Sequence, residues 1–305
     1  MHIVSVINYK GGVGKTSLTT NLAGELAWKG KNVLLIDLDA QASLTFSLIT
    51  PNDWVQNFAE SKTIKQWFDS HDTGSPISLS SLIHTPARVE KALKGNGKLD
   101  LISSHLGLIN VDLELATKLG GASLEQAKKN FIAVHRRLAD GLAGIQGYDL
   151  VLIDCPPNFN IVTKTAIVAS EYLLVPARPD YLSTLGINYL IRSVDRLVKD
   201  YNDYANVQEG QHVDPIDPAV LGVVFSMIQE YRGPMAAQRT YMSQVRQQSG
   251  LTVYDAYIKR NDSLFANAPE NGVPVVLNAY SNGSHQSVVD GLEAVAAEFG
   301  TQIGL

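Results

Sequence analysis

The chain has 305 residues, 45% of them hydrophobic and 18% charged, with 25 Lys and Arg against 30 Asp and Glu, a net charge of −5. Ordinary hydrophobicity at low net charge excludes a wholly disordered chain, and the acidic balance excludes a globally basic nucleic-acid binder. A single cysteine excludes an internal disulfide framework and a Cys-only metal site, and suits a reducing cytosol.

The first residues, MHIVSVIN, run straight into a Lys-Gly-Gly loop, too short an apolar stretch for a signal peptide. No apolar run approaches the roughly 18 residues that a membrane span requires. A cytoplasmic protein without membrane attachment is therefore expected. Short apolar runs then alternate with longer amphipathic stretches, the pattern of an α/β fold. Ile3 to Ile7, Val33 to Ile36, Leu99 to Ile102, Leu150 to Ile153, Tyr172 to Val175 and Val220 to Phe225 read as strands. They are continuous rather than alternating, as in a mostly parallel, twisted sheet with helices on both faces. Leu18, Leu22 and Leu26 mark a helix after the first strand, with Gly30 as its C-terminal stop. Residues 51–98 are polar around Trp54 and Trp67 and read as a helical and loop insertion. Asn202 to Pro218 is a second surface connection. No repeat is visible, and residues 1–305 read as one domain.

The chemistry begins at Lys10-Gly11-Gly12-Val13-Gly14-Lys15-Thr16-Ser17, set between the first strand and its helix. A strand, a Gly-rich loop and a helix N-terminus make a phosphate cradle: glycines let successive amides turn towards phosphate oxygens. Lys15 is placed to reach the β- and γ-phosphates and the Thr16 hydroxyl to ligate Mg²⁺. The slot five residues before Gly14 holds Tyr9 instead of the usual glycine. Two carboxylate-bearing strand ends follow. Asp37 and Asp39 are two apart after Val33 to Ile36, and Asp154 ends Leu150 to Ile153 in a Walker B arrangement that holds Mg²⁺. Cys155 reads as packing rather than chemistry.

The Lys10 to Thr16 string resembles the deviant Walker A box of the ParA/MinD superfamily of P-loop ATPases. The resemblance implies that Lys10 acts in trans across an ATP-bound dimer, that Asp39 orients the attacking water, and that Asp37 supports the Mg²⁺ shell or the switch. Ala40 stands where the family usually has Pro. Asp-Cys-Pro-Pro at 154–157 and the course Tyr172 to Gly186, including Asp180 and Ser183, are also similar to the family. The likeness covers 1–50 and 99–305, and 51–98 diverge.

Relatives within the superfamily can be sorted on this chain. One cysteine cannot serve the iron–sulfur members. No Lys or Arg follows Arg260, so the tail is not the basic membrane helix of MinD-like proteins. No tyrosine cluster follows Tyr280, unlike the tyrosine autokinases. The ParA branch remains, and the N-terminal DNA-reading domain common in plasmid ParA proteins is not expected. Residues 226–260 hold Arg232, Arg239, Arg246, Lys259 and Arg260 against Glu230 and Asp255. A helix opened near Pro234 and closed near Gly250 places Arg239 and Arg246 on one face, a stripe suited to a DNA backbone. Ile258-Lys259-Arg260-Asn261 is similar to a family stretch beside the nucleotide, and Ser263 stands where a second basic residue is often found. Arg260 and Pro269 are expected to line the nucleoside.

The resemblance thus implies a partition ATPase: an MgATP-driven sandwich homodimer that binds plasmid or chromosome DNA non-specifically on the nucleoid and hydrolyses ATP slowly, until a ParB-like or other adaptor accelerates it. Positioning of a protein cargo, of carboxysome or chemoreceptor type, and a regulatory ATPase dimer with no DNA role stand as alternatives.

Overall fold

The structure is a computed structural model, and it describes residues 1–206, 213–230, 233–248 and 250–305. Among the described residues, six strands form one parallel sheet: β1 (His2–Val6), β2 (Asn32–Asp37), β3 (Lys98–Ile102), β4 (Leu150–Asp154), β5 (Tyr172–Ala177) and β6 (Ala219–Phe225), in the order β3-β2-β4-β1-β5-β6. All six expected strands are present, with ends shifted by a residue or two.

Twelve α-helices among the described residues surround the sheet. α1 (Lys15–Trp28), α2 (Ser43–Leu48), α3 (Pro51–Asn57), α4 (Ile64–Ser70) and α5 (Ala87–Leu93) lie between β1 and β3. α6 (Leu108–Lys118), α7 (Leu124–Leu142), α8 (Ile161–Ala169) and α9 (Tyr181–Ala205) follow. α10 (Ala236–Gln248), α11 (Asp262–Asn271) and α12 (Gly283–Ile303) complete the chain. α1 stops as its leucine spacing implies: Gly30 takes φ +92°, and the Gly30 and Lys31 amides donate to the carbonyls of Ala27 and Leu26.

Alternation along each strand divides the core into two layers. On β2, Leu34 and Ile36 join a layer with Trp67, Leu108, Leu138, Val162 and Ile187, so α4 and α6–α9 cover that face. Val33 and Leu35 join Leu18, Leu22, Leu264 and Phe299 on the other, under α1, α11 and α12. Residues 51–98 form α3, α4, a 3₁₀ turn at Leu79–Leu82 and α5, in keeping with a helical insertion. They are not merely superficial: Trp67, Phe68, Leu82 and Val89 are all buried.

β1 lies between β4 and β5, so the loop leaving its C-terminal end opens between two flanking strand ends. In an open α/β sheet such a crevice is where ligands bind. In register, Asp37 stands beside Asp154 on the neighbouring strand. Two carboxylates are thereby brought to one strand spacing, about 4.8 Å, below the phosphate loop.

Candidate functional site

The loop from Lys10 to Ser17 is shaped by two left-handed glycines, Gly12 at φ +68° and Gly14 at φ +79°. A side chain at Gly14 would also meet Ser226, whose hydroxyl lies 3.3 Å from the place of its Cβ. That hydroxyl donates to the Val13 carbonyl at 2.7 Å, pinning the loop to the end of β6, and Val13 is fully buried. Lys15 folds back inside the loop, with Nζ 3.3 Å from the Asn8 carbonyl and 3.2 Å from that of Lys10. Its burial pushes its pKa down, and Asp154 and Asp39 act in the opposite direction. A cation held in this cage of carbonyls is ready to trade weak partners for an anion.

Thr16 Oγ1 donates to Asp154 Oδ2 at 2.7 Å, so the hydroxyl and carboxylate expected to share a metal are already in contact. Burial pushes Asp154 up to about 7, while Thr16 and Lys15 pull it down. Asp37 is fully buried and pushed up to about 8, first by burial and then by Asp154. Its oxygens accept from the Thr45 hydroxyl (2.7 Å), the Thr45 amide (2.8 Å) and the Asp39 amide (3.1 Å). Asp37 thus anchors the turn carrying Asp39 rather than facing the open pocket. Asp39 lines that pocket, and its own Oδ1 accepts from the Gln41 amide at 3.0 Å. The turn is tight enough to hold Ala42 at φ +52°, a conformation rare for a residue with a Cβ.

Two acids whose folded pKa values lie above the ordinary 3.8 favour the protonated form in the folded state. Their contribution to stability is therefore greatest at low pH and falls as pH rises from about 4 towards 8, where the folded protein must ionise them. The nucleotide-free protein is expected to melt several degrees lower at about pH 8 than at about pH 5.5, and Asp37→Asn is expected to flatten that dependence. Equal slopes by thermal denaturation would show that the pair does not set it.

Above the loop lies a cavity of about 380 Å³ lined by the loop, Asn21, Asp39, Phe265, Pro269 and Pro274. A second, of about 300 Å³, adjoins it through Gly14, Ser17, Met227 and Phe265 and is walled by Lys259, Arg260 and Asp262. Pro269 and Arg260 thus stand on adjoining walls. Lys10 lies elsewhere: its Nζ is 2.9 Å from Asp180 Oδ1 and 3.0 Å from Ser183 Oγ, at the first turn of α9. Asp180 also caps that helix through the Ser183 amide. Asn8, Ser226, Thr45 and Phe265 carry no local signal of a site in the sequence, whereas Asp180 and Ser183 stand in the course that resembles the family, and only their contact with Lys10 is not legible there. Ser226 acts on Val13, 213 positions away, and Asp180 on Lys10, 170 positions away, separations that spacing does not register.

The basic stripe is largely neutralised. Arg246 meets Asp255 at 2.7 Å, Arg260 meets Asp262 at 2.6 Å, and Lys259 is paired with Glu230. Arg239 is exposed and has no ion pair among the described residues. Arg232 lies outside the described residues.

A family model described as an AAA domain, AAA_31, matches residues 1–207, more than half of the chain. The chromosome partitioning protein ParA of Caulobacter vibrioides is 29% identical over 280 residues, covering 91% of this chain and 87% of that protein. The sporulation initiation inhibitor protein Soj of Bacillus subtilis is 26% identical, covering 97% and 98%. The chain belongs to the AAA_31 family, as a ParA-like member of the partition and positioning ATPases. The fold of this ParA-like chain is also that of solved relatives. A variant of Cyanothece McdA in complex with ATP superposes with a TM-score of 0.71 at 18% identity, covering 100% of this chain and 97% of that one. Among the described residues no helix is long and apolar enough to cross a membrane.

Proposed function

We propose that this chain is an ATP-hydrolysing partition or positioning switch that works as an MgATP-bound homodimer on a DNA surface, reset by an adaptor protein. The observation that carries the reading is the closed set of Lys15, Thr16 and Asp154 beneath an open cavity of about 380 Å³. The McdA relative solved with ATP supports the choice of nucleotide. The residues suit Mg²⁺ in a particular way. Thr16 supplies a hydroxyl and Asp154 a carboxylate, yet no three His, Cys, Asp or Glu residues cluster among the described residues. A metal would therefore depend on nucleotide phosphates and water for the rest of its shell, as Mg²⁺ commonly does. Bound there, Mg²⁺ supplies charge neutralisation on the β- and γ-phosphates.

The amides of Gly11 to Ser17 hold phosphate oxygens, and Lys15 moves from its carbonyl cage to the phosphates. Pro269 and Arg260 border the nucleoside. Asp39, placed on the pocket wall by its anchored turn, orients the attacking water. Lys10 reaches the partner's nucleotide only by leaving Asp180 and Ser183, so dimer closure exchanges one charged contact for another. Residues 1–305 act as one unit, with 51–98 built into its core. Asp39→Ala is expected to keep ATP binding and lose turnover by at least about 100-fold. Phosphate release at the wild-type rate would remove Asp39 from its role.

The ion pairs at Lys259, Arg246 and Arg260 leave Arg239, together with Arg232 outside the described residues, to carry the DNA contact, so few phosphates are neutralised per subunit. Each lost phosphate contact lowers the salt slope of log affinity by about 0.9. Arg239→Ala is expected to reduce that slope by about that amount per subunit in a retention assay with ATP, ADP and no nucleotide. Salt-insensitive retention, equal in all three states, would leave a regulatory ATPase without a DNA role.

A further inference from the structure

α11 carries one wall of the nucleotide cavity, through Phe265, Ala268 and Pro269, and its own sequence holds that wall weakly. The helix is 10 residues long, and Pro269 inside it has no amide to give the Phe265 carbonyl. Leu264 is its one buried side chain. Its N-terminal end is secured by Asn261, whose side chain accepts from the Leu264 amide at 3.1 Å. Its last turn has no basic residue of its own to meet the carbonyls left open there.

Those carbonyls are met from the insertion. Arg88 of α5 donates from Nη1 to the carbonyls of Glu270 and Asn271, at 3.0 and 3.3 Å. A cation placed there also opposes the negative end of the helix dipole. The stem of the same side chain lies against the cap of α11: a Cβ at Gly272, which sits at φ +63°, would come within 3.0 Å of Arg88 Cδ. α5 gives the guanidinium a firm base, because Val89 and Leu93 are buried in the same core layer as Leu264. α2 also packs beside α11, but its Leu48 carbonyl near Gly272 is an acceptor and cannot satisfy other carbonyls. Beyond Gly272 the wall is fixed from another side. The Val276 amide donates to Asn21 Oδ1 at 3.1 Å, and Pro274 fills the space left by Gly24 of α1.

We propose that Arg88 is a positioning residue for nucleotide binding, holding the end of α11 so that Phe265, Ala268 and Pro269 stay against the nucleoside. Through it, residues 51–98 set the affinity for ATP. The inference rests on the nucleotide reading proposed above and adds to it the part played by the insertion. Arg88 stands outside the cavity lining, so it acts through α11 and not on the nucleotide itself. Without the brace the last turn of α11 frays and Pro269 leaves the wall. The phosphate loop, pinned by Ser226 and continuous with α1, is untouched. Loss of Arg88 therefore separates two affinities that share one pocket: the nucleoside end is weakened and the phosphate end is not.

The test is calorimetric titration of wild type, Arg88→Ala and Arg88→Lys with MgATP and with magnesium tripolyphosphate, which has no nucleoside. Arg88→Ala is expected to raise the Kd for ATP at least about 5-fold and to leave that for tripolyphosphate within about 2-fold. Arg88→Lys, which keeps a charged donor, should recover part of the loss. In phosphate release the KM for ATP should rise while kcat stays within about 2-fold. Amide hydrogen exchange over 262–271 should quicken in nucleotide-free Arg88→Ala, a readout that needs no ATP. Arg88 is exposed, and an unchanged melting temperature confirms that the variants fold. Unaltered ATP affinity in Arg88→Ala, equal weakening of both ligands, or unchanged exchange over α11 would overturn the proposal while leaving the nucleotide reading in place. A wild-type protein that binds neither ligand would bring down the nucleotide reading, and this proposal with it.

Discussion

Lys15→Ala is expected to weaken ATP binding by about 100-fold, measured by equilibrium titration with a fluorescent ATP analogue. The lysine is buried in the loop and bonded, among the described residues, to the Asn8 and Lys10 carbonyls at 3.3 and 3.2 Å. These contacts are long for a charged donor, so little is lost when they are exchanged for phosphate oxygens. A hydrogen bond to a charged group contributes about 1.5–3 kcal/mol, and the upper value corresponds to the change of about 100-fold. The fold should survive, because alanine at this position removes a cation whose burial already disfavours its charged form. A variant that melts like the wild type and binds ATP with unaltered affinity would sink the assignment of the loop.

Trp67→Ala is expected to cost about 4 kcal/mol, near the middle of the range for truncating a buried aromatic. The indole is 2% exposed, packs edge-on against Phe68 with centroids 4.9 Å apart, and lies directly over Gly141 of α7. A Cβ at Gly141 would come within 2.6 Å of the indole Cζ2, so that glycine is where α7 admits the ring. Against a typical total of about 5–15 kcal/mol, the loss would move the urea midpoint by a large fraction of its value. Gly141→Leu should destabilise through the same contact from the other side. Wild-type midpoints in both variants would show that residues 51–98 are a loosely held appendage. That outcome would also change the reading of the chain as one unit.

The parallel sheet is legible in continuous apolar runs such as Leu150 to Ile153, because strands buried on both faces have no polar positions to interrupt them. The phosphate loop is legible because its work is local: Gly12 and Gly14 must adopt left-handed angles, and Lys15 and Thr16 must follow at once. Asp154 is legible as the first polar residue after a buried strand. These features are encoded within a few residues of one another, so one-dimensional spacing is enough to find them.

Other features depend on which distant residues the fold brings together. The parking of Lys10 on Asp180 joins positions 170 apart, and the pinning of Val13 by Ser226 joins positions 213 apart. The pairing of Lys259 with Glu230 cannot be weighed from a charge count over 226–260, because the nearest acid in sequence, Asp262, is not the one it meets in space. Trp67, in a stretch that reads as polar insertion, is core because α7 leaves a glycine-sized space for it. Sequence by itself determined which acids stand at the strand ends and the family to which the chain belongs. Only the tertiary structure decided which charges are already spent, which side chain of the insertion reaches α11 and which buried acids share a register, since burial and pairing are properties of neighbours in space.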